Sequence, residues 1–199
     1  MTRIACDAIP PTRETPENKA ELRRKLLTLR NAISPEEKTL FDQQIANRVL
    51  AWWNTTRPAS LGVYWPMRGE PDLQPAYEML RAQGVRLALP AVVTDNAPLK
   101  FMSWTPGEKL ECDRFGAQTP PATNPEAWPQ ALIIPCLGFN AARFRLGYGG
   151  GFYDRTLEAV PRPYTVGVAY ASGEVRFAAD TFDIALDQVI TEESVLAAT

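Results

Sequence analysis

A first amphipathic helix is predicted by the spacing of three leucines near the start of the chain. Leu22, Leu26 and Leu29 recur at three- and four-residue intervals, which places them on one stripe of a helix that runs to about Asn31. The segment 15–17, T-P-E, offers a capping threonine, a proline at the first helical position and an acidic first turn. This helix is therefore expected to begin at about residue 16.

A second helix is predicted from Ser34 to about Trp53. Its first residues, S-P-E-E, form a capping box, in which a serine and a glutamate three positions later satisfy each other's backbone N–H groups. Its apolar positions suit packing against a sheet, and these are Leu40, Ile45, Val49 and Trp52. The two helices therefore precede, rather than interrupt, the region of strands.

From residue 59 onward, short apolar runs alternate with helical segments. The predicted strands cover residues 59–64, 85–89 (stopped by Pro90), 99–104, 131–135, 164–169 and 186–191, and the predicted helices cover 72–83 and 152–160. This alternation indicates an α/β fold with a mostly parallel sheet, whose ligand sites lie beyond the carboxyl ends of the strands. Residues 1–15 are predicted to be a disordered extension and 16–199 a single domain, with 108–130 a surface excursion over the site.

A glycine-rich segment, R-L-G-Y-G-G-G-F-Y-D-R at residues 145–155, stands between a predicted strand and a predicted helix. Glycines allow positive φ and a close approach to backbone N–H groups, so the segment is predicted to hold a phosphate. Arg145 can act as a bidentate clamp for phosphate oxygens, and Asp154 can bind Mg²⁺ beside them. Lys19 and Arg23, one helical turn apart, either reach this loop or form a solvated basic face.

Two familiar nucleotide-binding patterns are absent from this loop. No Gly-Lys-Ser/Thr follows the glycines, as a Walker A loop would require, and the third glycine of the dinucleotide fingerprint is replaced by Phe152. A simple tight turn at a strand exit is the alternative interpretation of the glycines alone.

The amino-acid composition excludes several reaction mechanisms and classes of partner. The 199-residue chain contains no histidine, which excludes a histidine base and the Ser-His-Asp and Cys-His mechanisms. Its net charge of −2 gives no general attraction for nucleic acid or anionic membranes. The three cysteines form no C-x-x-C pair, and no apolar leader or membrane span is evident. We expect a cytoplasmic monomer that acts on a small molecule through phosphate-centred chemistry.

At the glycine segment, the chain resembles the 5-formyltetrahydrofolate cyclo-ligase family, also called methenyltetrahydrofolate synthetases. The resemblance extends from Lys19 to Thr191. It rests first on the glycine segment 145–155. Shorter matches lie along the rest of the chain: Lys19 and Arg23 (K-x-x-x-R), Arg30, 64–70, Leu89-Pro90, 99–101 with Trp104, 135–139, Asp183, Leu186-Asp187 and 189–191. The chain departs from the family's pattern at four places. Asn140 replaces an aspartate, Arg143 replaces a glycine, Phe182 differs from the family's residue, and the segment 115–120 lacks the family's glutamate. The glycines, Asp154 and Asp183 are intact.

The resemblance implies a three-layer, Rossmann-like α/β fold of the ribose-phosphate isomerase and CoA transferase type. It also implies ATP- and Mg²⁺-dependent conversion of 5-formyltetrahydrofolate to 5,10-methenyltetrahydrofolate, with ADP and phosphate released. The ATP-binding residues implied are Lys19, Arg23, Arg145, Leu146, Gly147, Tyr148, Gly149, Gly150, Gly151, Phe152 and Tyr153. Trp65, Glu70 and Tyr153 would contact the folate, Asp154 and Asp183 would hold Mg²⁺, and Arg145, Tyr153 and Asp154 would be catalytic.

Two other classes stay open at this point. One is a non-catalytic sensor that binds ATP and folate in the same pocket. At the level of single residues, the sequence around Glu70, without the resemblance, would favour a solvated loop carboxylate. A sugar-phosphate isomerase or acyltransferase of similar fold would need a dedicated carboxylate nucleophile or base, and no such motif is evident.

Overall fold

A computed structural model describes residues 18–198 of the chain, so the predictions for residues 1–15 and for a cap at Thr15 lie outside the described residues. The described part contains four α-helices: α1 (Lys19–Asn31), α2 (Pro35–Thr56), α3 (Gln74–Ala82) and α4 (Phe152–Leu157). Its strands are β1 (Ser60–Gly62), β2 (Arg86–Ala91), β3 (Lys100–Trp104), β4 (Glu111–Cys112), β5 (Gln118–Thr119), β6 (Glu126–Ala127), β7 (Ala131–Pro135), β8 (Gly138–Phe139), β9 (Arg145–Leu146), β10 (Tyr164–Val168), β11 (Gln188–Ile190) and β12 (Val195–Ala197).

One eight-stranded sheet organises the molecule. Its strand order is β12-β11-β10-β7-β1-β2-β3-β6. The five central strands, from β11 to β2, are parallel, and the three outer strands pair antiparallel. The prediction of a mostly parallel α/β sheet is confirmed. The last strand, β12, was not predicted, and it covers the edge of β11.

Buried side chains on the two faces of the sheet form two separate clusters. On one face, α2 and α3 pack Ile45, Val49, Tyr77 and Leu80 against alternate residues of the strands. On the other face, Leu157 of α4 and the segments around it cover a second set that includes Phe101 and Ile134. Successive strand residues point to opposite faces, so continuous apolar strands such as A-L-I-I serve both layers. The result is the three-layer arrangement that was predicted.

The first two helices begin at capping side chains. Ser34 and Glu37 form the predicted capping box of α2. At α1 the cap is Asn18, whose side chain accepts a hydrogen bond from the backbone N–H of Ala20, so the described helix begins later than expected. Its predicted stripe was also partly wrong, because Leu29 is 45% exposed and Arg30 is buried instead. The buried positions recur every four residues, at 22, 26 and 30.

Several predicted boundaries were wrong in detail. Leu40 of α2 is exposed. The helix α3 begins at Gln74, two residues later than predicted; its cap position is Leu73, and the Asp72 carboxylate accepts from the backbone N–H of Gln74 at 3.0 Å. Pro90 does not stop β2, which continues to Ala91. At Pro90 this strand pairs only with β3, since the β1 pairing has ended, so its missing N–H is tolerated.

The predicted surface excursion, residues 108–130, contains short strands of its own. β4 and β5 form a two-stranded ladder, and β6 joins the edge of the main sheet. Within the described residues, Cys112 and Cys136 are free thiols. No helix of residues 18–198 has the length and apolar character needed to cross a lipid bilayer.

Candidate functional site

A cavity of about 530 Å³ lies beyond the carboxyl ends of the parallel strands β1, β2 and β7. This is the edge at which ligand sites of open α/β sheets are expected. Every residue that the sequence predicted for the site lines this cavity: Lys19, Arg23, Trp65, Glu70, Arg145, Leu146, Gly147, Tyr148, Gly149, Gly150, Gly151, Phe152, Tyr153, Asp154 and Asp183. The structure therefore brings together residues that are up to 164 positions apart in the chain.

The glycine loop joins a short antiparallel ladder to a short helix. β9 pairs with β8 on one side of the loop, and α4 begins at Phe152 on the other. Gly149 and Gly151 adopt φ values of +96° and +64°, which side-chain-bearing residues rarely adopt. Since α4 has only six residues, we expect the N–H groups of the loop to contribute more to anion binding than the helix dipole does.

Arg145 is the most deeply buried cation of the cavity wall. Its side chain is 6% exposed, and its Nη2 lies 2.9 Å from Oδ2 of Asp154. Its guanidinium carbon lies 5.6 Å from the ring centre of Tyr153. Its Nη1 is buried and makes no hydrogen bond within the described residues. A buried guanidinium with an unsatisfied donor is costly, and an anion bound in the cavity would satisfy it.

The first turns of α1 supply two more cations. Arg23 donates from Nε to the carbonyl oxygen of Gly147 at 2.8 Å, so it reaches the glycine loop as predicted. Lys19 does not contact that loop: its Nζ lies 2.6 Å from both Asp180 and Asp183. Burial opposes the charged amine, but hydrogen bonds to the two aspartates raise the pKa of Lys19 above its ordinary value.

The two predicted metal ligands lie on facing segments of the cavity. Asp154 accepts a 3.4 Å hydrogen bond from the backbone N–H of Ile184, next to Asp183. Burial works against the Asp183 carboxylate, yet hydrogen bonds from Lys19 and from the Asp180 backbone lower its pKa below the ordinary value. Residues 18–198 contain no group of three or more metal-ligating side chains. Two carboxylates are nonetheless the usual protein share of a Mg²⁺ site that phosphate and water complete.

Glu70 is buried in the wall of the cavity, so the alternative interpretation of this residue as a solvated loop carboxylate was wrong. It is 2% exposed and ends a tight turn in which Arg68 and Gly69 have positive φ. Its oxygens accept hydrogen bonds from the backbone N–H of Met67 at 3.0 Å and from the Tyr148 hydroxyl at 2.9 Å. Burial raises the pKa of Glu70, although these hydrogen bonds and nearby arginines oppose that rise.

Aromatic rings line the cavity near Glu70. Trp65 packs edge-to-face on Trp104, with ring centres 6.1 Å apart. Tyr153 is partly buried, and burial raises the pKa of its hydroxyl. An apolar wall with one buried carboxylate suits a flat heteroaromatic ligand that carries N–H donors.

Sequence reasoning missed several residues of this cavity. Asp180 binds Lys19 beside Asp183, and only its position three residues upstream hinted at a role. The ladder of β4 and β5 adds residues from the segment that was expected to lie over the site, namely Asp113, Phe115, Ala117 and Gln118. Phe115 packs edge-to-face on Phe152 at 5.7 Å, which closes the cavity on the glycine-loop side.

Comparisons with known proteins show the family to which the chain is similar. The model of the 5-formyltetrahydrofolate cyclo-ligase family matches residues 15–192. A 5-formyltetrahydrofolate cyclo-ligase from Mycoplasma pneumoniae is 30% identical over 181 residues, which cover 88% of this chain and 99% of the relative. A protein of the same name from Escherichia coli K12 is 31% identical over 174 residues, 83% of this chain and 96% of the relative.

Solved structures of similar proteins have the same fold. A 5,10-methenyltetrahydrofolate synthetase from Mycoplasma pneumoniae aligns with a TM-score of 0.75 and 26% identity, over 88% of this chain and 99% of that chain. A 5,10-methenyltetrahydrofolate synthetase from Aquifex aeolicus aligns with a TM-score of 0.77 and 28% identity, over 90% and 92%.

Proposed function

The chain belongs to the 5-formyltetrahydrofolate cyclo-ligase family, and we propose that it uses Mg-ATP to close 5-formyltetrahydrofolate to 5,10-methenyltetrahydrofolate. A ligase role in folate metabolism follows from family membership. The nucleotide, the metal and the role of each residue are proposals supported by the geometry of the cavity.

The chemical difficulty lies in the formyl group. A formamide carbon is a poor electrophile, because the neighbouring nitrogen donates electrons into its carbonyl. When bound, ATP supplies the phosphoryl group that converts the formyl oxygen into a leaving group. N10 of the folate then forms a bond to the formyl carbon, the carbon–oxygen bond breaks, phosphate leaves, and N10 loses its proton. The protein must position these groups and neutralise the charge on phosphoryl oxygens, which requires no histidine.

Arg145 and the glycine loop would bind the phosphoryl oxygens. The buried Nη1 of Arg145 is a hydrogen-bond donor without a partner in the described chain, and it stands at the cavity wall. Arg23 already lies against the loop through Gly147. Together they would stabilise negative charge beside the largely buried Arg145 side chain, and electrostatic stabilisation is stronger where water has less access.

Asp154 and Asp183 would hold Mg²⁺, which supplies charge neutralisation between adjacent phosphate groups. In the structure each carboxylate is paired with a cation of the same cavity, Asp154 with Arg145 and Asp183 with Lys19. Binding of Mg-ATP would exchange these pairs: the carboxylates would turn to the metal, and the cations to phosphate oxygens. This exchange keeps every charge compensated.

Glu70, Trp65 and Tyr153 would bind the folate. The amino-pyrimidine edge of a pterin presents N–H donors, and a carboxylate is the matching acceptor. The edge-to-face tryptophan pair gives the flat ring an apolar wall. Tyr153 lies beside Arg145 on the cavity wall, and we propose that it contacts the formyl group.

The single observation that supports this function most is the unsatisfied Nη1 of buried Arg145, beside Asp154 in a cavity that also contains buried Glu70. The test is an absorbance assay for the methenyl product with 5-formyltetrahydrofolate and Mg-ATP, with ADP measured in the same reaction. We expect one ADP for each product molecule. Binding of both ligands without product would contradict catalysis and favour a sensor.

A further inference from the structure

Three residues from distant parts of the chain form a continuous hydrogen-bonded chain beneath the cavity. Arg30 of α1 donates from Nη2 to the carbonyl oxygen of Cys136 at 2.6 Å and from Nη1 to the Tyr148 hydroxyl at 3.0 Å. The Tyr148 hydroxyl in turn lies 2.9 Å from Oε1 of Glu70. Arg30 is 6% exposed and Glu70 2% exposed, so this chain is largely removed from water.

The direction of these hydrogen bonds is fixed by chemistry. A guanidinium has only donors, so the Tyr148 oxygen must accept from Arg30. An ionised carboxylate only accepts, so the single Tyr148 proton must point to Glu70. Without Tyr148, one oxygen of a buried carboxylate would lose its partner. The Arg68 guanidinium, 5.0 Å from the Tyr148 ring centre, further restricts the position of this side chain.

Tyr148 also belongs to the loop that is proposed to bind the nucleotide. It stands between Gly147, whose carbonyl accepts from Arg23, and Gly149, which has φ +96°. Because glycines flank Tyr148 on both sides, the backbone of the loop can change conformation at low cost when a ligand binds its N–H groups. The Tyr148 side chain therefore connects the glycine loop to the buried carboxylate of Glu70.

We propose that Tyr148 is a positioning residue that couples the two ligands: nucleotide binding orders the loop, and the Tyr148 hydroxyl then holds Glu70 in the orientation that binds the folate. This inference rests on the proposed function for the identity of the two ligands. It assigns Tyr148 a task beyond contact with ATP, and it assigns Arg30 the task of fixing the Tyr148 hydroxyl. The coupling is reciprocal, so the folate strengthens nucleotide binding by the same factor.

The test compares Tyr148→Phe with Tyr170→Phe as a matched control. Tyr170 is also buried and donates its hydroxyl to a carboxylate, Oδ1 of Asp42 at 2.7 Å, but neither residue lines the cavity. Affinities for 5-formyltetrahydrofolate are measured with and without Mg²⁺ and a non-hydrolysable ATP analogue. In the wild-type chain, the analogue should tighten folate binding.

In Tyr148→Phe, we expect folate affinity in the presence of the analogue to fall about tenfold, as for a lost hydrogen bond to a charged group. The ratio of folate affinities with and without the analogue should approach one, while affinity for the analogue alone changes less than about threefold. Tyr170→Phe should keep the wild-type ratio. An unchanged ratio in Tyr148→Phe, or the same change in both variants, would overturn the proposal.

Two further measurements distinguish a positioning role of Tyr148 from a general loss of structure in the variant. In a Glu70→Ala background, Tyr148→Phe should change folate affinity by less than about twofold, because the hydrogen-bond acceptor of the Tyr148 hydroxyl is gone. Independent, multiplying effects would contradict the coupling. The acid limb of folate binding should also move to higher pH in Tyr148→Phe, since the tyrosine hydrogen bond lowers the pKa of Glu70. The other groups around Glu70 are Arg30, Arg68, Tyr64, Tyr77, Tyr153 and Cys136.

The binding measurements need no turnover, so the two hypotheses can fail separately. A wild-type chain that binds both ligands but forms no product contradicts the proposed function and leaves the coupling to be decided by the affinity ratios. An active wild-type chain whose ratio survives Tyr148→Phe contradicts the coupling alone.

Discussion

At the scale of single residues, Asn140 explains how the chain tolerates a departure from the family's pattern. Its Oδ1 accepts from the backbone N–H groups of Ala142 at 3.1 Å and Phe144 at 3.0 Å, which an aspartate could also do. Its Nδ2 donates to the carbonyl oxygen of Phe177 at 3.1 Å, which an ionised aspartate could not do. The turn that leads to the glycine loop is therefore intact, with Arg143 at φ +65° where the family has glycine.

Substitution of Asn140 should therefore produce graded losses of stability. Asn140→Asp keeps the two accepted hydrogen bonds and loses the donated one, so we expect a loss of about 1 kcal/mol. Asn140→Ala loses all three and should cost about 2 to 3 kcal/mol. Urea unfolding measures both. Equal losses in the two variants would show that the accepted bonds contribute nothing.

Asp154 is expected to bind the metal, and so to affect the binding of the nucleotide rather than that of the folate. Asp154→Asn keeps the size of the side chain and removes its charge, so it should raise the KM for Mg-ATP about tenfold or more, with little change in folate affinity. Asp72→Asn is a suitable control, because Asp72 lies outside the cavity and an asparagine can still accept from Gln74. Equal loss of nucleotide and folate binding would count against the metal assignment.

Glu70 makes stability depend on pH in the direction opposite to a salt-bridged carboxylate. Its pKa is raised in the folded protein, so the folded state holds the proton more tightly than the unfolded chain. The charged form costs stability near neutral pH, and this cost disappears as the pH falls through the folded pKa. Relative to Glu70→Gln, the wild-type chain should therefore gain in Tm as the pH falls from neutrality towards the ordinary pKa of a glutamate. A constant Tm difference would contradict a raised pKa.

At the scale of secondary-structure elements, the stability of α1 affects the position of two cations in the cavity. Asn18 caps the helix immediately before Lys19, and Arg23 follows one turn later. Further along, Leu22 and Leu26 anchor the helix beside the glycine loop, packed with Leu137 and Leu146. The first turn of α1 must therefore be well formed for two cations to be held at the cavity.

A comparison of two helix caps tests this connection. Asn18→Ala and Ser34→Ala each remove a capping side chain and should each cost about 1 kcal/mol in unfolding free energy. Only Asn18→Ala should also raise the KM for Mg-ATP by a few fold, because α1, unlike α2, presents cations to the cavity. The measurement pairs urea unfolding with steady-state kinetics. A similar change in KM for Ser34→Ala would attribute the effect to general loss of stability.

At the scale of the whole molecule, the cavity is formed by segments from almost the full described chain. Lys19 is paired with residues 161 and 164 positions away, and Glu70 with one 78 positions away. A ligand that contacts these walls joins elements that are far apart in sequence. Ligand binding should therefore stabilise the global fold and not only the loop.

Thermal unfolding with Mg²⁺ and a non-hydrolysable ATP analogue tests this expectation. At a ligand concentration one hundred times its Kd, the free energy of unfolding should rise by about 2.7 kcal/mol, seen as a higher Tm. Chelation of Mg²⁺ should remove most of the gain, because the proposed carboxylate ligands would then face phosphate directly. A gain that is independent of Mg²⁺ would contradict the roles of Asp154 and Asp183.

The sequence by itself determined most of the helices and central strands, and it identified the glycine loop as the candidate phosphate site. The capping box at Ser34, the apolar run 131–135 and the glycines of 147–151 are local signals, since each depends on residues within a few positions of one another. The absence of histidine likewise limited the chemistry without any structure. These features could be predicted because short-range backbone preferences and hydrophobic periodicity fix them.

Only the tertiary structure decided how the site residues pair. Arg30 lies outside the leucine stripe predicted for α1, yet it is buried, because the Cys136 carbonyl and the Tyr148 hydroxyl satisfy its donors. Lys19 was predicted either to reach the glycine loop or to lie on a solvated face, yet it pairs with Asp180 and Asp183. Each of these partners is more than 100 positions away, so their proximity depends on how the strands order in the sheet. No local pattern encodes that order, and packing of the whole chain fixes it.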